Sequence, residues 1–403
     1  MAAITGCFMS TAGRYNSIQQ DKEDAMNITR RNFNRSAAAL AAFAAMGPLG
    51  RMAHAAVSDR LNILCWEGYN TNAVLSPFRE LHPNATVRAE SGTSDPDMIN
   101  KLRAGEVNVW DLINVNQPWA RGQLYPEGLI RPLDKARFMP YFEHMLPAFS
   151  EPAYPLAFAE NGDLIGMPQR FGPFSFVVNT DRISRETAEE QGWKLFLDPA
   201  MKGRYGVLTY DNWNIIHICL TGDQNPFAPM DESGLETFRN TAETIFAGAR
   251  LRSNDLVAMN MALINGEIDA YFTGGTYTAS PARLDGLTNV HAITPTSGPV
   301  NGKGGVVWAE LTSRVNNPDP STLAEDFLEY VQKPEVCKAV GFAEGTYNPV
   351  AQMGDPDTFK LWRSDELDAI QWESLEEEVS RSLEYRAVAS YDELSQIYTA
   401  ARR

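Results

Sequence analysis

The sequence is short of the residues from which most metal and hydrolytic sites are made. It holds five His and four Cys among 403 residues. His82, His144, His217 and His291 are scattered, and no two stand at the spacing of paired metal ligands. The motifs H-E-x-x-H, C-x-x-C, G-x-S-x-G and G-x-x-x-x-G-K-[ST] are absent, so zinc-protease, dithiol, esterase and phosphate-cradling chemistry lack their local signatures. Gly302-Lys303-Gly304-Gly305 reads as a turn before a strand. Basic residues are also scarce: 35 Lys and Arg face 51 Asp and Glu, a net charge of −16. A nucleic-acid binder needs a basic face, so that class is excluded, and the negative field attracts cations instead. Beyond the N-terminal region no uncharged apolar run reaches the ~18 residues of a membrane span. What is present is globular: 44% hydrophobic, 10% aromatic and 21% charged, at a length that suggests two domains.

The first 55 residues read as an address. Ile28-Thr29-Arg30-Arg31-Asn32-Phe33-Asn34-Arg35 precedes an Ala-rich, uncharged stretch from Ser36 to Gly50, and Ala53-His54-Ala55 supplies small residues for cleavage. A twin arginine, a mild apolar segment and an A-x-A site make a Tat signal peptide over residues 1–55. Met26 is a more usual start for such a signal than Met1. Ile4-Thr5-Gly6-Cys7 has the local look of a lipobox, but no hydrophobic stretch precedes it. Cleavage before Ala56 leaves 348 residues and removes six Lys or Arg and three Asp or Glu, so the net charge falls to −19. Cys65, Cys219 and Cys337 remain, allowing at most one internal disulfide; their apolar neighbours predict buried small hydrophobes.

The exported part alternates strand and helix. Leu61 to Trp66 is a short strand, Asn72 to Leu81 has helical spacing, and Ala85 to Ala89 is strand-like. Ser94-Asp95-Pro96 starts a helix that Gly105 stops, and Asp111 to Ile113 is the next strand. Residues 131–160 are rich in proline and aromatics with little periodicity, and Gly166 to Asn179 is an extended ribbon. A second α/β region follows, with strands at Tyr205–Leu208, Ile268–Phe272, Val290–Ile293 and Gly305–Trp308. Its helices span Asn212–Leu220, Glu232–Ala247 and Asp255–Asn265, with later ones at Pro320–Val331 and Pro334–Phe342. The tail from Asp365 to Ala400 is expected to be mostly helical, with Glu373, Glu376, Glu377 and Glu378 on a solvated face. Two α/β regions joined by ribbons suggest two lobes, with a ligand cleft where strand C-termini point.

Several segments, in order, resemble the spermidine/putrescine-binding proteins of ABC importers. They are Trp66-Glu67-Gly68-Tyr69, Lys101 to Gly105 with Trp110-Asp111-Leu112, Tyr125 to Asp134, Gly166 to Asn179, Leu197 to Arg204, and Gly266 to Ala270. Together they span roughly residues 60–350. The resemblance implies an α/β periplasmic binding protein type II fold: two α/β lobes with a hinge and an interlobe ligand cleft. Residues 56–168 and 296–403 would form lobe 1, and 169–295 lobe 2. It also implies a periplasmic protein that does no chemistry, needs no cofactor or metal, and delivers a small-molecule ligand to an ABC permease in the inner membrane. The protein is expected to be a monomer. Ferric-binding relatives use an adjacent Tyr-Tyr pair, and none occurs here.

A polyamine needs carboxylates for its ammonium groups and aromatic faces for its chain; each cation–π contact contributes roughly 0.5–2 kcal/mol. By resemblance Trp66, Glu67 and Tyr69 line the cleft, although Trp66 also ends an apolar strand and suits core packing. Asn116 and Trp119 follow the Asp111–Ile113 strand. Asp211, near Trp213, matches a family carboxylate that receives an amine, or simply caps a helix; the partner acid three residues later is Asn214 here. Tyr271 and Phe272 stand where the family has W-x-G-S, as a cleft wall or a buried strand end. Trp308 and Glu310 share a strand face, and Tyr347 sits in a late loop. Arg170, beside Phe171, either pairs with Glu67 or Glu310 or binds a ligand carboxylate. The second option would make the ligand a zwitterion, such as an amino-acid derivative, an opine or a betaine; a quaternary amine is a further alternative. A secreted hydrolase would require a nonlocal triad in the cleft.

Overall fold

The computed structural model describes residues 60–92, 94–150, 153–343 and 345–403. The expected Tat signal lies outside them. One sheet of 11 strands organises the described chain. The strands are β1 Arg60–Cys65, β2 Thr86–Ser91, β3 Leu112–Asn116, β4 Ile130–Arg131, β5 Met167–Asn179, β6 Tyr205–Leu208, β7 Leu251–Ser253, β8 Ala270–Gly275, β9 Val290–Ile293, β10 Gly305–Val315, and, beyond the small separate ribbon of β11 Phe342–Ala343 and β12 Thr346–Tyr347, β13 Ser382–Glu384. The order is β2-β1-β3-β10-β5-β8-β6-β7, with β4 and β13 added on β10 and β9 on β5.

Two parallel wings are joined by one antiparallel pair. β1 runs parallel to β2 and β3, and β6 runs parallel to β7 and β8. Between the wings β10 and β5 lie antiparallel to each other, and each pairs antiparallel with the adjoining wing strand. Two of these three pairings carry a bulge. Opposite Ala309 to Leu311 of β10, β5 runs from Phe171 to Pro168 and holds one extra residue; the pairing of β5 with β8 shifts between Ser175 and Phe176, with the extra residue in β8. A bulge bends a strand and re-aims a side chain.

α-Helices of six residues or more fill the connections. They are α1 Asn72–Leu81, α2 Asp95–Arg103, α3 Lys135–Phe142, α4 Arg185–Gln191, α5 Asp211–Thr221, α6 Glu232–Gly248 and α7 Leu256–Ile264 in the first two thirds of the chain. α8 Thr276–Leu284, α9 Leu323–Tyr330, α10 Pro334–Gly341, α11 Ser364–Ala369, α12 Trp372–Ser380 and α13 Tyr391–Ala401 follow. α1 buries Val74, Leu75 and Phe78 of the face its spacing predicts, but Leu81, expected on that same face, is 60% exposed at the helix end. α2 begins as expected: the Ser94 side chain accepts from the Asp97 amide, with proline in the first turn. One large apolar cluster covers the β2-β1-β3 wing, and two cover the other. α13 packs on α5 and α6, placing Leu394 and Tyr398 in the core of that second wing.

Several local expectations are corrected. Residues 135–142 are helical, capped by Asp134. β10 continues to Val315 through a polar stretch in which Thr312 donates to Gln169 Oε1 at 2.6 Å and accepts from Asn114 Nδ2 at 2.9 Å, while Ser313 Oγ is buried without a partner. Residues 382–384 form a strand beside β10 rather than more helix. Glu378 is buried, not solvated. It shares the inward face of α12 with Ser374 and Leu375, and its carboxylate accepts from Ser374, Gln371 and Thr294. Cys65, Cys219 and Cys337 are free and buried. No helix among the described residues is long and apolar enough to cross a membrane.

Candidate functional site

The cleft forms where the strand order changes direction, at the C-terminal end of β3. Asn116 is the last residue of β3 and the register partner of Glu310 on β10. Glu310 is the single β10 residue opposite a bulge in β5, where Gln169 and Arg170 together face it. Three adjacent strands thus place Asn116, Glu310 and Arg170 side by side. The Trp66–Tyr69 turn extends from the end of β1 and needs glycine at its third position. Gly68 has φ 100°, and a Cβ there would lie 3.0 Å from Arg170 Nη1.

A cleft of about 120 Å³ is lined by Trp66, Glu67, Asn116, Arg170, Phe174, Trp213, Tyr277, Trp308, Glu310, Ala343, Thr346 and Asn348. Its aromatic rings meet at steep angles. Phe174 and Trp213 are 4.8 Å apart at 69°, and Tyr277 and Trp308 are 6.2 Å apart at 89°. Phe174 stacks on Tyr277 at 5.4 Å. A larger cavity of about 510 Å³ lies elsewhere, against Phe78, Tyr141 and Tyr330. Its Asp326 and Glu329 already hold Arg137, so it offers a ligand less free charge than its size suggests. We place the site in the smaller cleft, where the converging strands and rings are.

The charges in the cleft are largely committed. Arg170 donates to Glu310 through Nε (2.9 Å) and Nη2 (2.8 Å), and through Nη1 to the Glu67 backbone carbonyl (2.9 Å). Tyr69 donates its hydroxyl to Glu310 Oε2 at 3.0 Å, and its ring lies under the guanidinium at 4.9 Å. Burial opposes the charge on Arg170, but Glu310 beside it outweighs this and raises the guanidinium pKa; burial likewise raises the Glu310 carboxyl, against the Arg170 charge and the hydrogen bonds from Arg170 and Tyr69. Asp95 accepts from the Asn116 amide and from Asn116 Nδ2 at 3.0 and 2.8 Å. Burial pushes its carboxyl up to about 7, against those hydrogen bonds. Glu67 is half-buried, and among the described residues its carboxylate makes no hydrogen bond or ion pair. Two buried polar atoms of the lining also lack partners: Trp66 Nε1 and Asn116 Oδ1.

Of the fourteen residues expected at the site, Trp66, Glu67, Asn116, Arg170, Trp213, Trp308 and Glu310 line the cleft. The other seven do not. Tyr69 is buried behind Glu310. Trp119 packs against the first core, and Phe171 is buried there with its ring 4.8 Å from Phe149. Asp211 is exposed at the start of α5, where it holds Arg402 at 2.7 Å and accepts from Tyr398 at 3.0 Å. Tyr271 is fully buried and donates to Asn260 and Thr278, while Phe272 packs among Trp193 and Phe196. Tyr347 reaches away to Glu366. Arg170 takes the protein carboxylate, not a free position.

Phe174, Tyr277, Ala343, Thr346 and Asn348 were not anticipated as lining residues. Tyr277 had a readable signal: it opens the helix just after Gly274-Gly275, at the same kind of strand end that recommended Trp66. Behind this wall Thr273 occupies the extra position of the β8 bulge with φ 66°, strained for a β-branched residue. Its hydroxyl accepts from Asn214 Nδ2 and lies 2.9 Å from His217 Nδ1. Burial lowers the His217 pKa to about 3, so the imidazole is neutral. No group of three or more His, Cys, Asp or Glu among the described residues is arranged to hold a metal ion.

The sequence matches the family of bacterial extracellular solute-binding proteins over residues 73–364. No curated protein matches it. Among solved structures it is similar to the spermidine/putrescine ABC transporter substrate-binding protein PotD of Streptococcus pneumoniae. The TM-score is 0.62 at 16% identity, over 86% of this chain and 100% of that one. It is also similar to a putative spermidine/putrescine ABC transporter of Listeria monocytogenes, with TM-score 0.64 and 15% identity over 86% and 99% of the two chains. The periplasmic binding protein MotA of A. tumefaciens B6, in complex with glucopine, gives TM-score 0.57 and 14% identity over 85% and 100%. At these identities the likeness establishes the fold, that of periplasmic binding proteins. The match across most of the sequence settles the rest: this chain belongs to the bacterial extracellular solute-binding proteins.

Proposed function

We propose that this protein is the periplasmic substrate-binding component of an ABC importer. It captures a polyamine or related small cationic amine in the cleft and delivers it to an inner-membrane permease. The observation that carries this reading is the uncommitted carboxylate of Glu67 in a cleft walled by Trp66, Phe174, Trp213, Tyr277 and Trp308. Aromatic faces attract an ammonium through their ring quadrupole, and a half-buried carboxylate supplies the counter-charge. The zwitterion alternative needs a cation free for a ligand carboxylate, and Arg170 is held by Glu310.

In this reading the protein acts as a carrier, as its family membership supports, and His217, 5.6 Å from the lining residue Phe174, is engaged with Thr273 behind the wall. We further propose that the two wings act as lobes, with 56–168 and much of 296–403 on one side and 169–295 on the other. By its packing, α13 joins the second. Export follows the twin-arginine route through Arg30 and Arg31, and the protein works as a monomer. Calorimetry with putrescine, cadaverine, spermidine and n-butylamine at physiological salt tests the ligand class. Heat from at least one is expected; titrations silent with all four overturn it. An Arg30→Lys/Arg31→Lys precursor should stay in the cytoplasm, and its normal export would refute that route.

A further inference from the structure

The carboxylates around the cleft differ sharply in what they already hold. Glu310 accepts from Arg170 twice and from Tyr69. Asp95 accepts from Asn116 twice. Asp211 lies outside the lining and is taken by Arg402 and Tyr398. Among the described lining residues, Glu67 alone has a carboxylate free of protein partners. The cleft therefore offers one negative charge, one unpartnered neutral acceptor in Asn116 Oδ1, and five aromatic side chains.

We propose that the cleft selects an organic monocation: one ammonium centre seated among the aromatic rings with Glu67 as its counter-charge, and no second charged end. This rests on the amine-binding reading above and narrows it. A diamine would bring a second ammonium out of water with no second carboxylate to receive it, and burying an unpaired charge is costly. Cation–π attraction cannot replace that carboxylate at both ends, because the rings crowd one small volume. Phe174 lies 4.8 Å from Trp213 and 5.4 Å from Tyr277, which lies 6.2 Å from Trp308. The cleft, at about 120 Å³, is also well below the roughly 300–1,000 Å³ of sites for larger ligands. It suits one head group and a short neutral tail.

The test compares ligands matched in chain length: n-butylamine against putrescine and n-pentylamine against cadaverine, by calorimetry on the exported chain. Each monoamine is expected to bind at least tenfold more tightly than its diamine, about 1.4 kcal/mol. A diamine that binds within tenfold of its monoamine, or more tightly, overturns the monocation proposal and leaves the amine reading standing. Silence from all four overturns the monocation proposal, and silence from spermidine as well overturns the amine reading. Glu67→Gln should weaken monoamine binding at least tenfold with an unchanged melting temperature. Unchanged affinity would remove Glu67 from its role.

Discussion

Arg170 and Glu310 face each other across β5 and β10 through two parallel hydrogen bonds, at 2.9 and 2.8 Å, and both are almost fully buried. Such a pair contributes little net stability over apolar packing, but losing one partner leaves a buried charge alone. Glu310→Gln or Arg170→Leu is expected to cost about 3–5 kcal/mol. The double change Arg170→Met/Glu310→Leu should recover most of it. Urea unfolding of the three variants checks this. Equal losses in the single and double variants would mean that the pair is not the unit that matters.

The aromatic wall should be graded. Replacing Tyr277 or Trp308 by Leu removes a ring face from the cleft and should cost about 0.5–2 kcal/mol of amine binding. Tyr277→Phe keeps the face and should stay close to the unaltered protein. Titration of each variant with the best-binding amine reads this directly.

Asp211 is a control on the site itself. Its carboxylate ties α5 to the C-terminal helix through Tyr398 and Arg402, and it is exposed. Asp211→Asn should leave ligand affinity unchanged and lower stability by no more than ~1 kcal/mol, as for other exposed ion pairs. A large loss of affinity would return this residue to the cleft.

Glu378 predicts a pH dependence of stability. Burial, its largest influence, pushes the carboxyl up to about 7, against hydrogen bonds from Ser374, Thr294 and Gln371. A raised acid stays protonated in the folded chain while it ionises in the unfolded one. Stability therefore falls as pH rises from about 4.5 to about 7 and levels off above. The full effect of this one group is on the order of 3 kcal/mol. Glu378→Gln should flatten much of the fall in melting temperature over that window, leaving the share of Asp95, which burial also raises to about 7. An unaltered profile in the variant would assign the effect elsewhere.

The fold was legible where one physical signal dominates. The α1 stripe and the Ser94 cap are local signals; the cap forms as expected, and Val74, Leu75 and Phe78 are buried, with only Leu81 of the expected face left exposed. β10 runs past its expected end through a polar second half, in which Thr312 is held by Gln169 and Asn114, far away in sequence. The site divides in the same way. Residues that close strand ends, such as Trp66, Glu67 and Asn116, reach the cleft. Tyr271 and Phe272 lie inside β8, and period two alone does not tell a cleft-facing aromatic from a core one when both faces are buried. The Glu310–Arg170 bond depends on a bulge, which no local pattern announced.

The unbroken sheet has a mechanical consequence. The two wings share no flexible tether there; they are joined by hydrogen-bonded strands, so rotating one against the other means twisting β5 and β10. Both carry the step at which an extra β5 residue, in the Gln169–Arg170 stretch, faces Glu310. The joint between the wings and the Arg170–Glu310 pair that lines the cleft therefore occupy one and the same strand step.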